Sequence, residues 1–409
     1  MAKSSPAVKQ IKGGILAASG FRGAGLACGI KSEKGRKDLA LLVPDAPAVA
    51  AATFTQNKVR AASVLWDAAV LKKRSHVRAV VVNSGNANAC TGERGERDTR
   101  TMACTVADAI GCETDEVLVS STGIIGEFLP IEKITKGIGK AHKALSDKTP
   151  ADGRFADAIQ TTDTMRKDFA VRVEQDGGSF VIGGCAKGAG MIGPNMATML
   201  CYITTDAGVE VKALRRMLKQ SVNVSFNCIS VDGHNSTNDT VLLLSSGASG
   251  YQVNTPERVK VFRDALDRVA IGLAKSIVRD GEGATKLVQI DVTGAKTKTD
   301  AKLVAHAISR SPLNLTAVHG GDPNWGRFVS SAGYSGAAMK AERTTLFING
   351  KLTFDHGMPA GTPAEELAAE MQKDEIILHI DMGLGSGKVT YWCCDLTRGY
   401  ITINADYHT

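Results

Sequence analysis

Residues 168–184 read DFAVRVEQDGGSFVIGG and give the clearest indication of the fold. Phe169, Val171 and Val173 alternate with polar or small residues, which is typical of a half-buried strand. An Asp-Gly-Gly turn signal at 176–178 and a second apolar run follow, so the segment predicts a β-hairpin. A hairpin between neighbouring strands is not expected in a pure βαβ array, so we expect mixed sheets.

Helical and strand patterns mix along the rest of the chain. The run VRAVVVN at 77–83 predicts a buried strand, and the spacing over 97–110 predicts a helix that stops at Gly111. Further helices are expected at 131–145, 211–220, 256–278 and 299–310, and strands at 116–120, 199–204, 239–245, 287–292, 375–381 and 389–394. The sequence therefore predicts an α/β protein with layered mixed sheets.

Composition is that of a globular protein. The 409 residues are 43% hydrophobic, 22% charged and 5% aromatic. Glycine occupies 43 positions, above the average share of ~7%, without a collagen period, so we expect turns and close backbone packing. No apolar run approaches the ~20 residues of a membrane span, so no membrane association is predicted. The length suggests two or three domains at ~100–200 residues each.

Charge and cysteine content narrow the class of protein further. The formal net charge of +7 is mild, and the densest basic cluster, at 72–74, is short and lacks interleaved aromatics. Nucleic-acid binding is therefore not expected. The nine cysteines form no CxxC pair, and the N-terminal residues lack the apolar stretch of a signal peptide. These features predict a reduced, cytoplasmic location.

Two familiar motifs fail on inspection. Residues 383–388 (GLGSGK) resemble a phosphate-binding loop, but Met382 replaces the first glycine and Val389 replaces the hydroxyl residue. A turn between two strands explains the glycines better. The eight histidines include no metal-binding pair, so no metal and no cofactor are predicted. His234 and His319 lie near Gly and Asp, but a lone loop histidine is more often structural.

Polar clusters at the ends of predicted strands are the candidates for a site. The Thr122 hydroxyl and the Gly123 amide could donate to a developing oxyanion. Lys187 ends a strand, and Glu282 lies among glycines and charges at 280–286. Each has a plainer explanation, since Thr122 could cap a turn, Lys187 could be a solvated strand end, and Glu282 could pair with Lys286.

One segment, GAGMIGPNMAT at 188–198, is too apolar for a solvated tether. Together with its flanks it resembles the self-cleavage segment of the ornithine acetyltransferase family, the glutamate N-acetyltransferases of arginine biosynthesis. Further matching blocks occur in order at 35–41 (GRKDLAL), 83–89 (NSGNANA), 121–126 (STGIIG), 161–164 (TTDT), 236–239 (STND), 280–286 (DGEGATK), 322–327 (DPNWGR) and 403–409 (INADYHT). The chain departs from the family pattern at His234-Asn235, where an acidic residue is common, and at His408, where arginine is common.

The resemblance implies a fold shared with self-processing aminopeptidases and a chain that cuts itself between Ala197 and Thr198. The products are an alpha chain, 1–197, and a beta chain, 198–409, which assemble as a heterotetramer of two copies of each. Thr198 then becomes the nucleophile, and its freed α-amine, with a reference pKa of about 7.7–8.0, serves as its base.

The resemblance also implies the reaction. The acetyl group of N2-acetyl-L-ornithine passes to Thr198 and then to L-glutamate, with Thr122 and Gly123 as the oxyanion hole. Lys187 suits a substrate carboxylate and Glu282 suits the ornithine side-chain ammonium. The substrate contacts carried over from the family are Thr161, Lys187, Thr198, Glu282, Asn404 and Thr409.

Three alternatives stay open at the sequence level. Thr162 and Thr164 compete with Thr161 for the substrate contact. Some family members also take acetyl groups from acetyl-CoA, and nothing in this sequence decides whether this one does. A self-processing aminopeptidase or amidase of similar architecture would pass the acyl group to water instead of glutamate.

Overall fold

A computed structural model describes residues 6–193 and 199–406 of the chain. The strands in this part are β1 (Ala7–Ile11), β2 (Phe21–Leu26), β3 (Leu39–Pro44), β4 (Ala48–Phe54), β5 (His76–Val77), β6 (Ala79–Asn86), β7 (Val117–Ile124), β8 (Lys167–Gln175), β9 (Gly178–Lys187), β10 (Leu200–Thr205), β11 (Ile229–Ser230), β12 (Thr240–Ser245), β13 (Leu287–Ala295), β14 (Thr345–Ile348), β15 (Lys351–Asp355), β16 (Met358–Pro359), β17 (Glu375–Asp381) and β18 (Gly387–Cys394). The helices are α1 (Ala62–Lys73), α2 (Gly92–Ile110), α3 (Ile131–Lys143), α4 (Thr149–Ile159), α5 (Val211–Val222), α6 (Pro256–Arg279), α7 (Lys298–Ser309), α8 (Pro312–Gly320), α9 (Trp325–Gly333), α10 (Ala364–Met371) and α11 (Arg398–Asp406).

The strands form three sheets. The central sheet has the order β1-β8-β9-β10-β12-β4-β5, and the small sheet has the order β2-β3-β6-β7. The outer sheet has the order β11-β18-β13-β17-β14-β15-β16. Each sheet mixes antiparallel pairs with a parallel pair, such as β10 with β12 and β6 with β7. The prediction of layered mixed sheets is therefore confirmed.

The sheets and helices stack in layers because most strands are apolar on both faces. In β3, Leu39 and Leu41 pack against α2 and α3, while Ala40 and Leu42 face the core shared with the central sheet and α4. On the other side of the central sheet, α5 and α6 pack, and α6 also reaches the outer sheet. Strands buried on both faces read as continuous apolar runs, as β3 does.

The hairpin predicted at 168–184 is confirmed as β8 and β9, with Gln175 opposite Gly178. Asp176 and Gly177 both have positive φ, of 51° and 73°, as a two-residue hairpin turn requires. The helix predicted at 97–110 is confirmed as α2, which begins five residues earlier and ends before Gly111. The strands predicted at 375–381 and 389–394 are present as β17 and β18, but they flank β13 from opposite sides.

The N-terminal strands are among the elements that the sequence patterns miss. Residues 23–25 lie within β2, whose run FRGAGL shows no clear alternation. A Cβ at Gly25 would collide with the carbonyl group of Arg154 in α4. Glycine at position 25 therefore lets a helix pack against the strand backbone, and the missing side chain interrupts the alternation that would predict a strand.

The two fragments predicted from the sequence share one sheet. β9 ends at Lys187, which pairs with Leu200 at the start of the antiparallel β10. β10 and β12 therefore lie inside a sheet whose other strands all precede residue 194. The described part of the chain contains no helix long and apolar enough to cross a membrane.

Candidate active site

Six of the residues predicted for the site line one cavity of about 320 Å³. They come from the end of β7, the loop before β8, the end of β9, the loop after α6, and α11. The six are Thr122, Gly123, Thr161, Lys187, Glu282 and Asn404. Ala197, Thr198 and Thr409 lie outside the described residues, so their roles stay predictions.

The described residues on both sides of 194–198 are bound next to this cavity. Met191 lines the cavity, and its N–H donates to Asp232 Oδ2 at 2.6 Å. The Met199 N–H donates to Asp239 Oδ1 at 3.0 Å, one residue after the cavity-lining Asn238. The chain thus enters and leaves the predicted cleavage segment at the cavity.

Thr122 and Gly123 occupy the end of β7 beside the end of β6. Gly123 has φ of +129° and pairs with Gly85, and a Cβ at Gly123 would collide with the Gly85 backbone. Only glycine fits this close approach of two strands. Thr122 is buried, and Lys187 Nζ lies 3.3 Å from its hydroxyl oxygen. Thr122 is therefore part of a polar cluster at the cavity.

A side-chain amide holds this strand end in place. Asn238 Nδ2 donates to the carbonyl oxygens of Ala87 and Ser121, at 2.6 and 2.7 Å. The block 236–239 was singled out only by its resemblance, without an assigned role. Asn238 stabilises the end of β7 through contacts with residues more than 110 positions away, so no local sequence pattern identifies this role.

Lys187 is buried, with 3% of its surface exposed, so the interpretation as a solvated strand end is wrong. Burial lowers the pKa of its ammonium group, and the nearby carboxylates of Asp163 and Glu282 act in the opposite direction. The ammonium group therefore lies in a cavity that also holds negative charge. Such a group can bind a substrate carboxylate, because it is already largely desolvated.

Glu282 is 9% exposed, lines the cavity and packs against residues 189–190. Its N–H donates to the Ala189 carbonyl at 2.8 Å, and a Cβ at Gly190 would collide with its carboxylate. Asn404 Nδ2 donates to Glu282 Oε2 at 2.9 Å, which joins two of the predicted substrate contacts. The predicted alternative of a Glu282–Lys286 pair is wrong, since Lys286 Nζ donates to backbone carbonyls instead.

The three threonines at 161–164 separate in the structure. Thr161 and Thr162 line the cavity, whereas the Thr164 hydroxyl donates to Asp280. The Thr161 N–H donates to Asp163 Oδ2 at 2.9 Å. Of the three threonines, only Thr161 and Thr162 are therefore placed where a substrate in the cavity could contact them.

A buried ion cluster beneath the cavity was not predicted. Lys167 Nζ lies 2.6 Å from Asp163 Oδ1 and 2.5 Å from Asp280 Oδ2, and all three side chains are at most 3% exposed. Asp163 also accepts the Gly188 N–H at 2.7 Å. The cluster therefore ties together the loops that carry Thr161, Lys187 and Glu282. The only sequence signal was that both aspartates fall inside blocks matching the family.

The charges of this cluster set the pKa of Asp163. Burial alone would raise that pKa, but the Lys167 and Lys187 charges and the Gly188 N–H outweigh it and hold it at about 2. Asp239 has the opposite balance, because burial raises its pKa to about 8 and the Met199 N–H opposes this only in part. The site thus combines an ionised and a largely protonated carboxyl group at neutral pH.

The two histidines considered from the sequence differ in their position relative to the cavity. His234 lines the cavity, while His319 Nδ1 binds Asp395 Oδ2 at 2.9 Å outside its lining. A larger cavity of about 1200 Å³, next to the outer sheet, contains none of the predicted site residues. Among residues 6–193 and 199–406, no group of three His, Cys, Asp or Glu side chains could hold a metal ion.

Comparison with known proteins identifies the family. The model of the ArgJ family matches residues 22–409. The arginine biosynthesis bifunctional protein ArgJ of Bacillus licheniformis is 44% identical over 408 residues, which cover 99% of each chain. That of Bacillus subtilis is 43% identical over 410 residues, again 99% of each. A crystal structure of ornithine acetyltransferase complexed with ornithine, from Mycobacterium tuberculosis, is 39% identical, covers 46% of this chain and 98% of its own, and has a TM-score of 0.42. The chain belongs to the ArgJ family.

Proposed function

We propose that this protein is an acyltransferase of arginine biosynthesis that moves the acetyl group of N2-acetyl-L-ornithine to L-glutamate. The observation that carries the proposal is the meeting of Thr122, Gly123, Lys187 and Glu282 in one cavity. The curated relatives, named arginine biosynthesis bifunctional proteins, support the same pathway.

The opposite charges of Lys187 and Glu282 suit an amino-acid substrate. Lys187 binds the α-carboxylate, and Glu282 binds the side-chain ammonium group of acetylornithine. Thr161 and Asn404 complete the contacts with Thr198 and Thr409. Since both charged side chains are buried, each gains a partner when substrate binds, and an analogue lacking either group leaves a buried charge unpaired.

The chemistry proceeds in two acyl transfers. The Thr198 hydroxyl oxygen attacks the acetyl carbonyl, and the α-amine of Thr198 takes the hydroxyl proton. The C–N bond to ornithine breaks, the leaving nitrogen takes that proton, and an acetyl ester remains on Thr198. The amine of glutamate then attacks the ester, which restores the hydroxyl and releases N-acetyl-L-glutamate. Thr122 and Gly123 stabilise the oxyanion in both steps, and the route needs no metal or cofactor.

Maturation precedes this reaction in the proposal. Thr198 attacks the Ala197 carbonyl, the peptide bond becomes an ester, and water releases fragments 1–197 and 198–409. The central sheet supports continued association of the fragments, because β9 and β10 pair across the cut. Two copies of each fragment form the heterotetramer. All nine cysteines are free thiols, which agrees with a cytoplasmic location.

The test of the reaction is to supply N2-acetylornithine and glutamate and to quantify the acetylated product. We expect N-acetylglutamate and ornithine in equal amounts. Free acetate without N-acetylglutamate would instead support the amidase alternative. Glu282→Gln should raise the KM for acetylornithine by more than tenfold, while the matched control Glu365→Gln, on the exposed face of α10, should not.

Maturation has its own test. Denaturing electrophoresis of active enzyme should show two bands, for 1–197 and 198–409, and Thr198→Ala should show one band of 43 kDa without activity. A single full-length band from active enzyme would refute self-cleavage. Glutamate with acetyl-CoA alone tests the second acetyl donor, and formation of N-acetylglutamate is the expected result.

A further inference from the structure

The acyl-transfer cavity has to accept two amino acids whose side chains carry opposite charges. Both present an α-carboxylate, for which Lys187 is the buried cation. The side-chain ammonium group of acetylornithine then suits Glu282, but the side-chain carboxylate of glutamate would be repelled there, because like charges at one site disfavour the ionised forms. Glutamate therefore needs a cationic or hydrogen-bond-donating group elsewhere on the cavity wall.

His234 is placed to supply that group. Among the described residues that line the cavity, Lys187 and His234 are the two whose side chains can carry positive charge. His234 lies in the loop between β11 and β12 and is exposed to solvent. Its hydrogen bond within the described part of the chain is made by its backbone N–H, which leaves the imidazole available to a ligand.

The loop that carries this imidazole, residues 232–236, is called the His234 loop and is held in place before any ligand binds. Asp232 Oδ1 accepts the N–H groups of Ile192 and His234, at 2.9 and 3.0 Å. The Ile192 carbonyl oxygen accepts in return the N–H of Gly233 at 3.0 Å. The Asp232 carboxylate is thus engaged by the backbone, and ligand binding does not have to order the loop.

Neighbouring groups separate the His234 loop from the acidic part of the cavity. Glu282 packs against residues 189–190, whereas the His234 loop packs against residues 192–193. The Arg310 guanidinium packs against the backbone of the His234 loop, outside the cavity lining, and its charge offsets that of Asp232. Two subsites of different character therefore follow each other along one segment of the cavity wall.

We propose that the His234 imidazole binds the side-chain carboxylate of the L-glutamate acceptor, while Glu282 binds the side-chain ammonium group of the acetyl donor. This inference rests on the proposed function, because it assigns the acceptor specificity of the same cavity. An imidazole N–H donates to a carboxylate in either protonation state, and the bond is charge-assisted when the ring is protonated. With its two carboxylates at Lys187 and His234, glutamate keeps its α-amine free to attack the acetyl ester.

The experiment measures kcat/KM separately for acetylornithine and for glutamate. In a two-step acyl transfer each of these ratios reports its own half-reaction, so the acceptor step is isolated. His234→Asp should lower kcat/KM for glutamate by about tenfold or more, the factor that corresponds to ~1.4 kcal/mol of lost binding. It should not lower kcat/KM for acetylornithine. His234→Lys, which keeps a cation, should retain most of the glutamate value.

L-Glutamine is the matched acceptor probe, since it has the shape of glutamate without the side-chain charge. The wild-type enzyme should prefer glutamate to glutamine, and His234→Asp should lose most of that preference. A substitution that merely disturbs the loop would lower kcat/KM for both acceptors by the same factor, and that result would overturn the inference.

The control variant is Asn235→Asp, which places a carboxylate in the His234 loop at an exposed residue outside the cavity lining. It should change kcat/KM for glutamate far less than His234→Asp does, and equal losses would overturn the inference. So would a wild-type preference for glutamate in His234→Asp, and in that case the proposed function still stands. If the wild-type enzyme forms no N-acetylglutamate from acetylornithine, the proposed function fails and this inference fails with it.

Discussion

The buried ion cluster of Lys167, Asp163 and Asp280 makes a demanding test of the structure. Lys167→Met removes the cation but keeps the length of the side chain, so Asp280 loses its ion-pair partner and Asp163 retains only the more distant charge of Lys187. Breaking a buried pair in this way typically costs about 3–5 kcal/mol. We therefore expect the free energy of unfolding at pH 7 to fall by an amount in that range.

The pKa of Asp163 gives a second expectation for the size of this effect. The pKa of about 2 in the folded protein lies below the ordinary aspartate value of 3.8. Because one unit corresponds to about 1.4 kcal/mol, this difference contributes about 2–3 kcal/mol of stability. That stability is present above pH 4 and is lost as the pH falls towards 2. In Lys167→Met, the pKa of Asp163 should rise above about 2, because burial is then opposed only by the Lys187 charge and the Gly188 N–H, and the deficit should shrink as acid protonates the carboxyl.

The assay is denaturant unfolding of wild type and variant at pH 7 and at pH 3. The control is Lys260→Met, which breaks a Lys–Asp pair of the same type on the surface of α6, where Lys260 is 80% exposed. The control should leave the unfolding free energy unchanged within error. If Lys167→Met lost less than about 1 kcal/mol at pH 7, or lost equal amounts at both pH values, the assignment of a buried charge cluster would be wrong.

Three further predictions concern other buried groups. The pKa of Asp239 is raised to about 8, so the folded state retains this proton and the stability should fall as the pH rises from about 4 to 8. Asp239→Asn should reduce this dependence of the thermal midpoint on pH. An unchanged dependence would contradict the raised pKa. Gly123→Ala should lower both the thermal midpoint and the activity, because the new Cβ collides with Gly85. The control Gly139→Ala in α3, where no atom lies near the new Cβ, should stabilise the protein by about 0.5–1 kcal/mol. Equal effects of the two substitutions would contradict the close approach of β6 and β7 at Gly123. A thiol reagent should modify the exposed Cys90 in the native protein but should reach five buried thiols only after denaturation. The five are Cys185, Cys201, Cys228, Cys393 and Cys394. Modification of all nine cysteines before unfolding would refute their burial.

Local sequence patterns predicted those helices and strands whose pattern depends only on neighbouring residues. The β8–β9 hairpin follows from alternating side chains and an Asp-Gly turn, and α2 follows from its helical spacing. In β2 the same method failed, because contact with α4 selects glycine at a position where alternation would place a side chain. Side-chain periodicity and turn chemistry act over a few residues, so they cannot report a packing partner such as Arg154, which lies 129 positions after Gly25.

The sequence by itself determined the family blocks, and through them which residues to consider for the site. Tertiary structure decided that six of these residues, from five separate segments, meet at one cavity. It also decided that Lys187 and Glu282 are buried and that Lys167 holds Asp163 and Asp280 together. The physical reason is that burial and ion pairing depend on which distant surfaces exclude water between them. The order of residues along the chain specifies which surfaces are apolar or charged. Only the packing of those surfaces sets the pKa of each side chain, its charge and the groups that it can contact.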